Sequence, residues 1–483
     1  MLYIRLSFRN TLKTLVWGGV FFLFFLNSPG SVNAAPYKNY FPLFPSIKAN
    51  VAFWEKVYST YSANTTVLHD RKNLSIIYEV VPLLDSVLPG AHRLNRIYIK
   101  GVKKKYSTIL DKLATGALPE NAEERRVLAM FPSPRDNKAL RRAADNIRTQ
   151  TGLKERFMDG VIRSGIYMPE IKKILTSYDL PEDLAYLPHV ESSFNLQAHS
   201  KSGAAGIWQF TRSTGEYYLK IDHIIDERRD PLAATHAAAQ YLKHGFTKLG
   251  SWPLAITGYN YGHAGMLRAL KIHRNYEEIF SHYNQGHFKF ASRNFYAEFL
   301  AARNVAKALE NKPSITKYTP GSITTLQLPG FAAAQDISTH FRLSKHELRL
   351  LNPALRQSVW DGEKYIPKGY KLRLPGTGEI SALAKTLPQA SLKSHQKRSF
   401  YYIVKHGDTA GEIARRFDIS LKHLSRTNNL SDNALVYVGQ TLRIPFMPPT
   451  ETNSPIISED IAPSVNFEGG IPILQGNKKS TAG

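Results

Sequence analysis

The chain has 483 residues, with 63 Lys plus Arg against 39 Asp plus Glu, a formal net charge of +24, and no cysteine. At ~150 residues per domain this length asks for about three domains, and 43% hydrophobic with 21% charged residues excludes both a wholly disordered chain and a multi-span membrane protein. The lack of cysteine excludes disulfides, thiolate metal sites, cysteine nucleophiles and a lipid-modified N-terminal Cys, and the charge favours an anionic partner.

Arg5, Arg9 and Lys13 precede an uncharged apolar run at 15–26, followed by Pro29, Gly30 and the small-residue site Val32-Asn33-Ala34. This is the layout of a signal peptide over 1–34, cleaved after Ala34. The run is short of the ~20 residues that span a bilayer, and the alternative is an uncleaved segment that anchors the chain. Export to the periplasm or cell envelope follows. It removes nucleic acid as a partner and leaves wall polymers, with peripheral contact to membrane or anionic wall polymers as an addition.

Residues 35–165 read as a helical N-terminal region, with Leu140, Ala143, Ala144 and Ile147 at helical spacing and Pro119, Pro132 and Pro134 as breaks. No chemistry is legible there, and Lys103-Lys104-Lys105 reads as a solvated helix face. A second helical block, 166–318, is rich in Gly, Ala and aromatics. In the last third Ile337, Phe341, Ser344, Leu348 and Asn352 recur as Ile413, Phe417, Ser420, Leu424 and Asn428, and Gly369, Leu372, Arg373 and Pro375 recur as Gly439, Leu442, Arg443 and Pro445. Two copies of one small α+β module are therefore expected, at 321–375 and 400–446. A partly ordered linker, 376–399, joins them, and a Pro-rich disordered tail occupies 447–483.

The chemistry concentrates in the second block. Asp179-Leu180-Pro181-Glu182 reads as a helix start, with Asp179 as N-cap and Glu182 placed for a capping box. On the helix running to about Ser192, Leu184, Leu187 and Pro188 mark the inward face, which Glu191 continues. Burial raises a carboxyl pKa, so such a group can donate a proton near neutral pH, as a glycosidase acid must; a buried Glu satisfied by its neighbours is the alternative. Ser202-Gly203-Ala204-Ala205-Gly206 permits close backbone approach to a ligand. Ile207-Trp208-Gln209-Phe210 then supplies an aromatic face and an amide, and Ala233, Ala234, Ala237, Ala238 and Ala239 suit tight helix packing. Gly258-Tyr259-Asn260 suggests a cleft wall.

Glu191-Ser192, Gly206-Ile207-Trp208-Gln209 and Gly258-Tyr259-Asn260 together resemble the three-motif signature of soluble-lytic-transglycosylase-type domains. The second repeat, with Gly407-Asp408-Thr409, Asn428 and Leu442-Arg443-Ile444-Pro445, is similar to LysM; the first is a degenerate LysM-like copy. The resemblance implies a mainly α protein: a lysozyme-like all-helical catalytic domain with a helical N-terminal extension and small βααβ LysM modules. It implies cleavage of the MurNAc–GlcNAc β-1,4 bond of peptidoglycan glycan strands with formation of 1,6-anhydro-MurNAc. Glu191 is the acid and base, Tyr259 a second catalytic residue, and Ser192, Gly206, Gln209, Phe210, Asn260 and Tyr296 belong to the sugar site. Gly407, Asp408, Thr409 and Asn428 form the LysM glycan groove. Relatives carry a later Tyr near the acid where this chain has Phe295, with Tyr296 beside it. No metal or cofactor is implied, and a monomer is expected. A non-catalytic peptidoglycan-binding scaffold and a hydrolytic muramidase are the alternatives; the second needs another carboxylate, for which Asp222, Asp226, Glu227 and Asp230 are candidates, although their alternation with Arg228 and Arg229 suggests local ion pairs.

Overall fold

The computed structural model describes residues 39–133, 136–200, 202–445 and 456–457. The expected signal peptide and nearly all of the expected tail lie outside them. The described residues from Tyr40 onward belong to one compact unit.

Helix α1 (Lys48–Ser59) presents Asn50, Val51, Trp54, Val57 and Tyr58 on one face, the i, i+3, i+4, i+7 pattern of a helix that buries a stripe. Strands β1 (Thr65–Asp70) and β2 (Ile77–Pro82) pair antiparallel, and after α2 (Ala91–Leu113), α3 (Ala122–Leu128) and α4 (Asn137–Asp145) the chain returns as β3 (Ile147–Thr151) on the other edge of β1. The N-terminal region is thus mainly helical, as expected, with a three-stranded sheet that the expectation did not include. Thr65-Thr66-Val67 and Ile77-Tyr78-Glu79-Val80-Val81 are β-branched and aromatic runs that favour a pleated, half-buried surface. Leu68, Tyr78, Tyr106, Leu110 and Leu140 make the core beneath this sheet.

Helices α5 (Lys154–Ser164), α6 (Met168–Ser177), α7 (Leu187–Glu191), α8 (Arg212–Gly215), α9 (Pro231–Leu249), α10 (Trp252–Tyr261), α11 (His263–Ile272), α12 (Tyr276–His282) and α13 (Phe290–Glu310) build the second block. As expected, the alanines of α9 allow close packing; Ala234, Ala237, Ala238 and Ala239 are all buried, and α9 lies against α6, α10 and α11. The packing does not respect a boundary at 165. Phe41, Val51, Trp54 and Val57 share one core with Trp208, Ile256, Phe295 and Phe299, α1 runs along α13, and Asn50 donates to Asn294 at 2.6 Å. Each such apolar side chain contributes about 1.5–3 kcal/mol by leaving water, so the N-terminal helix is part of the catalytic block's stability.

The repeat is visible in three dimensions. In the first copy β4 (Ile323–Gln327) pairs with β6 (Lys371–Pro375) around β5 (Phe331–Ala332), α14 (Ala334–Phe341), α15 (Lys345–Leu351) and α16 (Gln357–Trp360). The expected linker is ordered. In it α17 (Gly378–Lys385) buries Ile380 against the first module's core, and β7 (Leu392–Lys393) pairs with β5; Ile380, Leu383 and Leu387 supply the apolar anchors that a flexible linker lacks. In the second copy β8 (Phe400–Ile403) and β9 (Thr441–Ile444) flank α18 (Ala410–Arg416) and α19 (Leu421–Asn428). A short β10 (Ile456–Ile457), inside the expected tail, adds to β8. Asn352 donates to Leu348 O and Arg373 O and accepts from Arg373 N, all at 2.9 Å; Asn428 makes the same three bonds to Leu424 and Arg443. One asparagine per copy thus ties the last helix to the closing strand.

Candidate active site

Pro181 ends the preceding turn, and the chain enters a 3-10 turn at Glu182–Tyr186 that continues into α7. Asp179 does not cap it. It sits at φ 59° and pairs with Lys243 at 3.3 Å, and the N-cap is Pro181, because the Pro ring keeps its neighbours out of helical geometry. Glu191 closes α7 and Ser192 is its C-cap, so the carboxyl stands at a helix C-terminus, where the carbonyl dipoles further disfavour its charge. As expected, Leu184, Leu187 and Pro188 are buried beneath it.

Glu191 is half-buried, and its Oε1 is fully enclosed with no hydrogen-bond partner. Burial first, and the like charge of Glu298 second, push its carboxyl from 4.5 to about 8. A group so placed is mainly a neutral acid at pH 7. His189, two residues earlier, packs among Phe157, Tyr186 and Phe194; burial lowers it to about 3, so it is a neutral structural neighbour.

The expected site residues divide into a group that positions the acid and a group that serves the core. Ser192 is buried and donates to Ile207 O at 2.9 Å, tying the acid's turn to the 206–210 loop. Gln209, at φ 50°, donates to Gly206 O at 2.7 Å and Ala198 O at 3.2 Å, which fixes that loop. Gly206 is needed for packing, since a Cβ there would lie 1.8 Å from Arg228 O. Tyr259 is near enough to Glu191 for the carboxylate charge to raise its phenol, after burial, well above 10. Its hydroxyl is committed to Trp208 O at 2.8 Å. Asn260 accepts from Ser292 at 2.7 Å. Of the other residues expected at the sugar site, Phe210 is 2% exposed and packs on Tyr241 and Tyr259, while Tyr296 donates to Pro42 O and packs on Tyr276 and Phe299.

Two residues that the sequence reading missed stand close to the acid. Glu298 of α13 has Asn294, Phe295, Ala301 and Ala302, its i−4, i−3, i+3 and i+4 neighbours, all buried, and α13 packs on α7. Burial raises its carboxyl to about 8 against the opposing pull of Arg148. Tyr58 of α1 stacks on Phe157 at 4.6 Å; burial, then Glu298, then Glu191 raise its phenol. Spacing alone marks Glu298, a carboxylate on an apolar stripe. Nothing in the sequence marks Tyr58.

The acidic candidates between the motifs are otherwise engaged. Asp226 holds Arg228 through two bonds of 2.8 Å, and Asp230 caps α9 and pairs with Arg373 at 2.6 Å. Glu227 accepts from Lys220 N, and Asp222 caps Ile224 and Ile225. Asp361, Glu363 and His423 offer atoms within 4.8 Å of one another, but Arg426 at 2.7 Å and Arg443 at 2.5 Å already hold the two carboxylates, which makes the cluster an ion-pair latch between the modules. In the second module Asp408 holds Tyr402, Lys405 N and Arg416, and Thr409 forms a capping box with Glu412. Asp408, Thr409 and Asn428 therefore brace the module, and Gly407, at φ 86°, leaves its turn open to solvent.

A helical block with a half-buried acid whose enclosed oxygen is unbonded at a helix end, followed by repeated βααβ modules, is the architecture of a lysozyme-like glycan-cleaving domain with wall-binding appendages. Residues 168–287 match the Transglycosylase SLT domain family and 402–445 the LysM domain family. The chain is 28% identical over 319 residues to membrane-bound lytic murein transglycosylase D of Escherichia coli K12, covering 62% of this chain and 69% of the relative. It is also 32% identical over 115 residues to a putative tributyltin chloride resistance protein of Alteromonas sp. M-1, covering 23% of this chain and 56% of that one. Membrane-bound lytic murein transglycosylase F of Pectobacterium atrosepticum is 28% identical over 116 residues, or 22% of this chain and 23% of the relative.

Proposed function

We propose that this protein is a peptidoglycan lytic transglycosylase of the cell envelope, exported by the segment at 1–34, that cleaves the MurNAc–GlcNAc β-1,4 bond and leaves 1,6-anhydro-MurNAc ends. The observation that carries this reading is the state of Glu191: an enclosed Oε1 without a hydrogen bond, on a carboxyl pushed up to about 8. Such a group holds its proton until a substrate oxygen arrives, and protonates that leaving oxygen as oxocarbenium character develops. The resulting carboxylate then accepts the proton of the C6 hydroxyl, which closes the anhydro ring. Ser192 and Gln209 act by fixing the acid's turn and the adjoining loop, and Tyr259 by holding Trp208 from below. Tyr58 supplies a phenol near the acid.

Glu298 favours a second reading, a hydrolytic muramidase, because it is a second carboxyl near the first. An inverting or retaining hydrolase needs that partner ionised. With its carboxyl raised to about 8, Glu298 is a poor base at neutral pH, which supports the transglycosylase. Digestion of purified sacculi by the parent and by Glu191→Gln tests the catalytic assignment: the variant should bind sacculi and release no soluble fragments, and undiminished release would refute it.

A further inference from the structure

The loop after β2 and the start of α2 carry an apolar and basic surface that no described residue covers. We propose that this surface docks the protein on a bilayer bearing anionic headgroups. Leu84, Val87 and Leu88 on the loop and Leu94, Ile97 and Tyr98 on the helix are all exposed, Val87 by 82% and Ile97 by 58%. Large apolar side chains exposed singly need no partner, but six of them within 84–98 make a patch. Loop and helix present it as one unit, since the Asn95 side chain donates to Leu84 O at 2.8 Å and accepts from Leu84 N at 2.9 Å.

On α2, Leu94 and Tyr98 extend the buried row Val102, Tyr106, Leu110 at i+4 steps into exposed turns, and Ile97 stands beside them. Arg93, Lys100 and Lys104 flank Ile97 on the helix, and Arg96 and Lys103 stand further round; none of the five has an ion pair among the described residues, and 86–110 contains no Asp or Glu. Lys105 differs, being held by Glu79 and Glu123 at 3.6 and 3.4 Å. A polyanionic glycan would match the cations and leave the apolar side chains in water; an apolar protein groove would do the reverse. A membrane interface accommodates both, because Leu, Ile and Tyr enter the headgroup boundary while Arg and Lys reach the phosphates.

The inference does not depend on the glycan chemistry. Its test is flotation of the protein beginning at Ala35, which retains the whole compact unit, with vesicles of phosphatidylcholine alone and with about one-third phosphatidylglycerol. The parent should bind the anionic vesicles and release them in high salt. Leu94→Glu with Ile97→Glu, both at exposed positions, should weaken binding about tenfold or more, and Lys100→Glu should weaken it at least about fivefold at low salt. Sacculus digestion without lipid should be unchanged in all three substitutions. No binding of the parent to anionic vesicles, or binding indifferent to Leu94→Glu and Ile97→Glu, would overturn the proposal. So would concentration-dependent self-association of the parent that Ile97→Glu abolishes, which would assign the face to a second copy.

Discussion

Replacing Glu191 by Gln should stabilise the protein by an amount that grows with pH. The folded state raises this carboxyl from 4.5 to about 8, so it binds the proton more tightly than the unfolded chain does. Stability from the neutral acid is complete below about pH 4.5 and is lost as the pH rises towards 8. At 1.36 kcal/mol per pKa unit the loss is ~1 kcal/mol at pH 5 and ~3 kcal/mol at pH 7. Gln does not ionise, so its advantage over the parent should widen by ~2 kcal/mol between those two pH values, whatever fixed cost its amide brings. Urea unfolding followed by the fluorescence of the buried Trp54, Trp208 and Trp252 reads the core that contains the site. An advantage equal at pH 5 and pH 7 would mean that Glu191 ionises as an ordinary carboxyl, and the argument for a neutral acid would fail.

Other consequences are as direct. Glu298→Gln removes the like charge beside the acid, so the alkaline limb of the pH–rate profile for sacculus lysis should move to lower pH; an unmoved limb would separate Glu298 from the site. Tyr58→Phe keeps the stack on Phe157 and should lower kcat roughly tenfold or more, with unchanged retention on sacculi. Arg373→Ala strands the buried Asp230 carboxylate and should cost about 3 kcal/mol, seen as a lower Tm and faster proteolysis between the catalytic block and the first module. Deleting 401–445 should weaken retention on insoluble sacculi while leaving turnover of short soluble glycans nearly unchanged; equal retention would refute a tethering role for LysM.

Helical periodicity found Glu191 because the acid breaks an apolar stripe, and the paired spacings of Asn352 and Asn428 foretold two modules that prove to share one hydrogen-bond scheme. Applied to α13, the same test would have found Glu298. Tyr58 was beyond it, because its relation to the acid is made by α1 packing on α13 and α5 across a long stretch of chain. Phe210 and Tyr296, expected at the sugar site, have buried side chains for a related reason. Aromatics near a motif are as often the floor of a site as its wall, and only packing distinguishes them. The N-terminal sheet was missed because its strands are short and its pairing, β1 with β3, is non-local.

The central claim is tested most directly by mass spectrometry of the muropeptides that the protein releases from purified sacculi, with Glu191→Gln as control. Products ending in 1,6-anhydro-MurNAc from the parent and none from the variant are the expected result. Reducing ends from the parent would mean that water attacks and that Glu298 works as the second carboxylate, and release by the variant would remove Glu191 from the chemistry altogether.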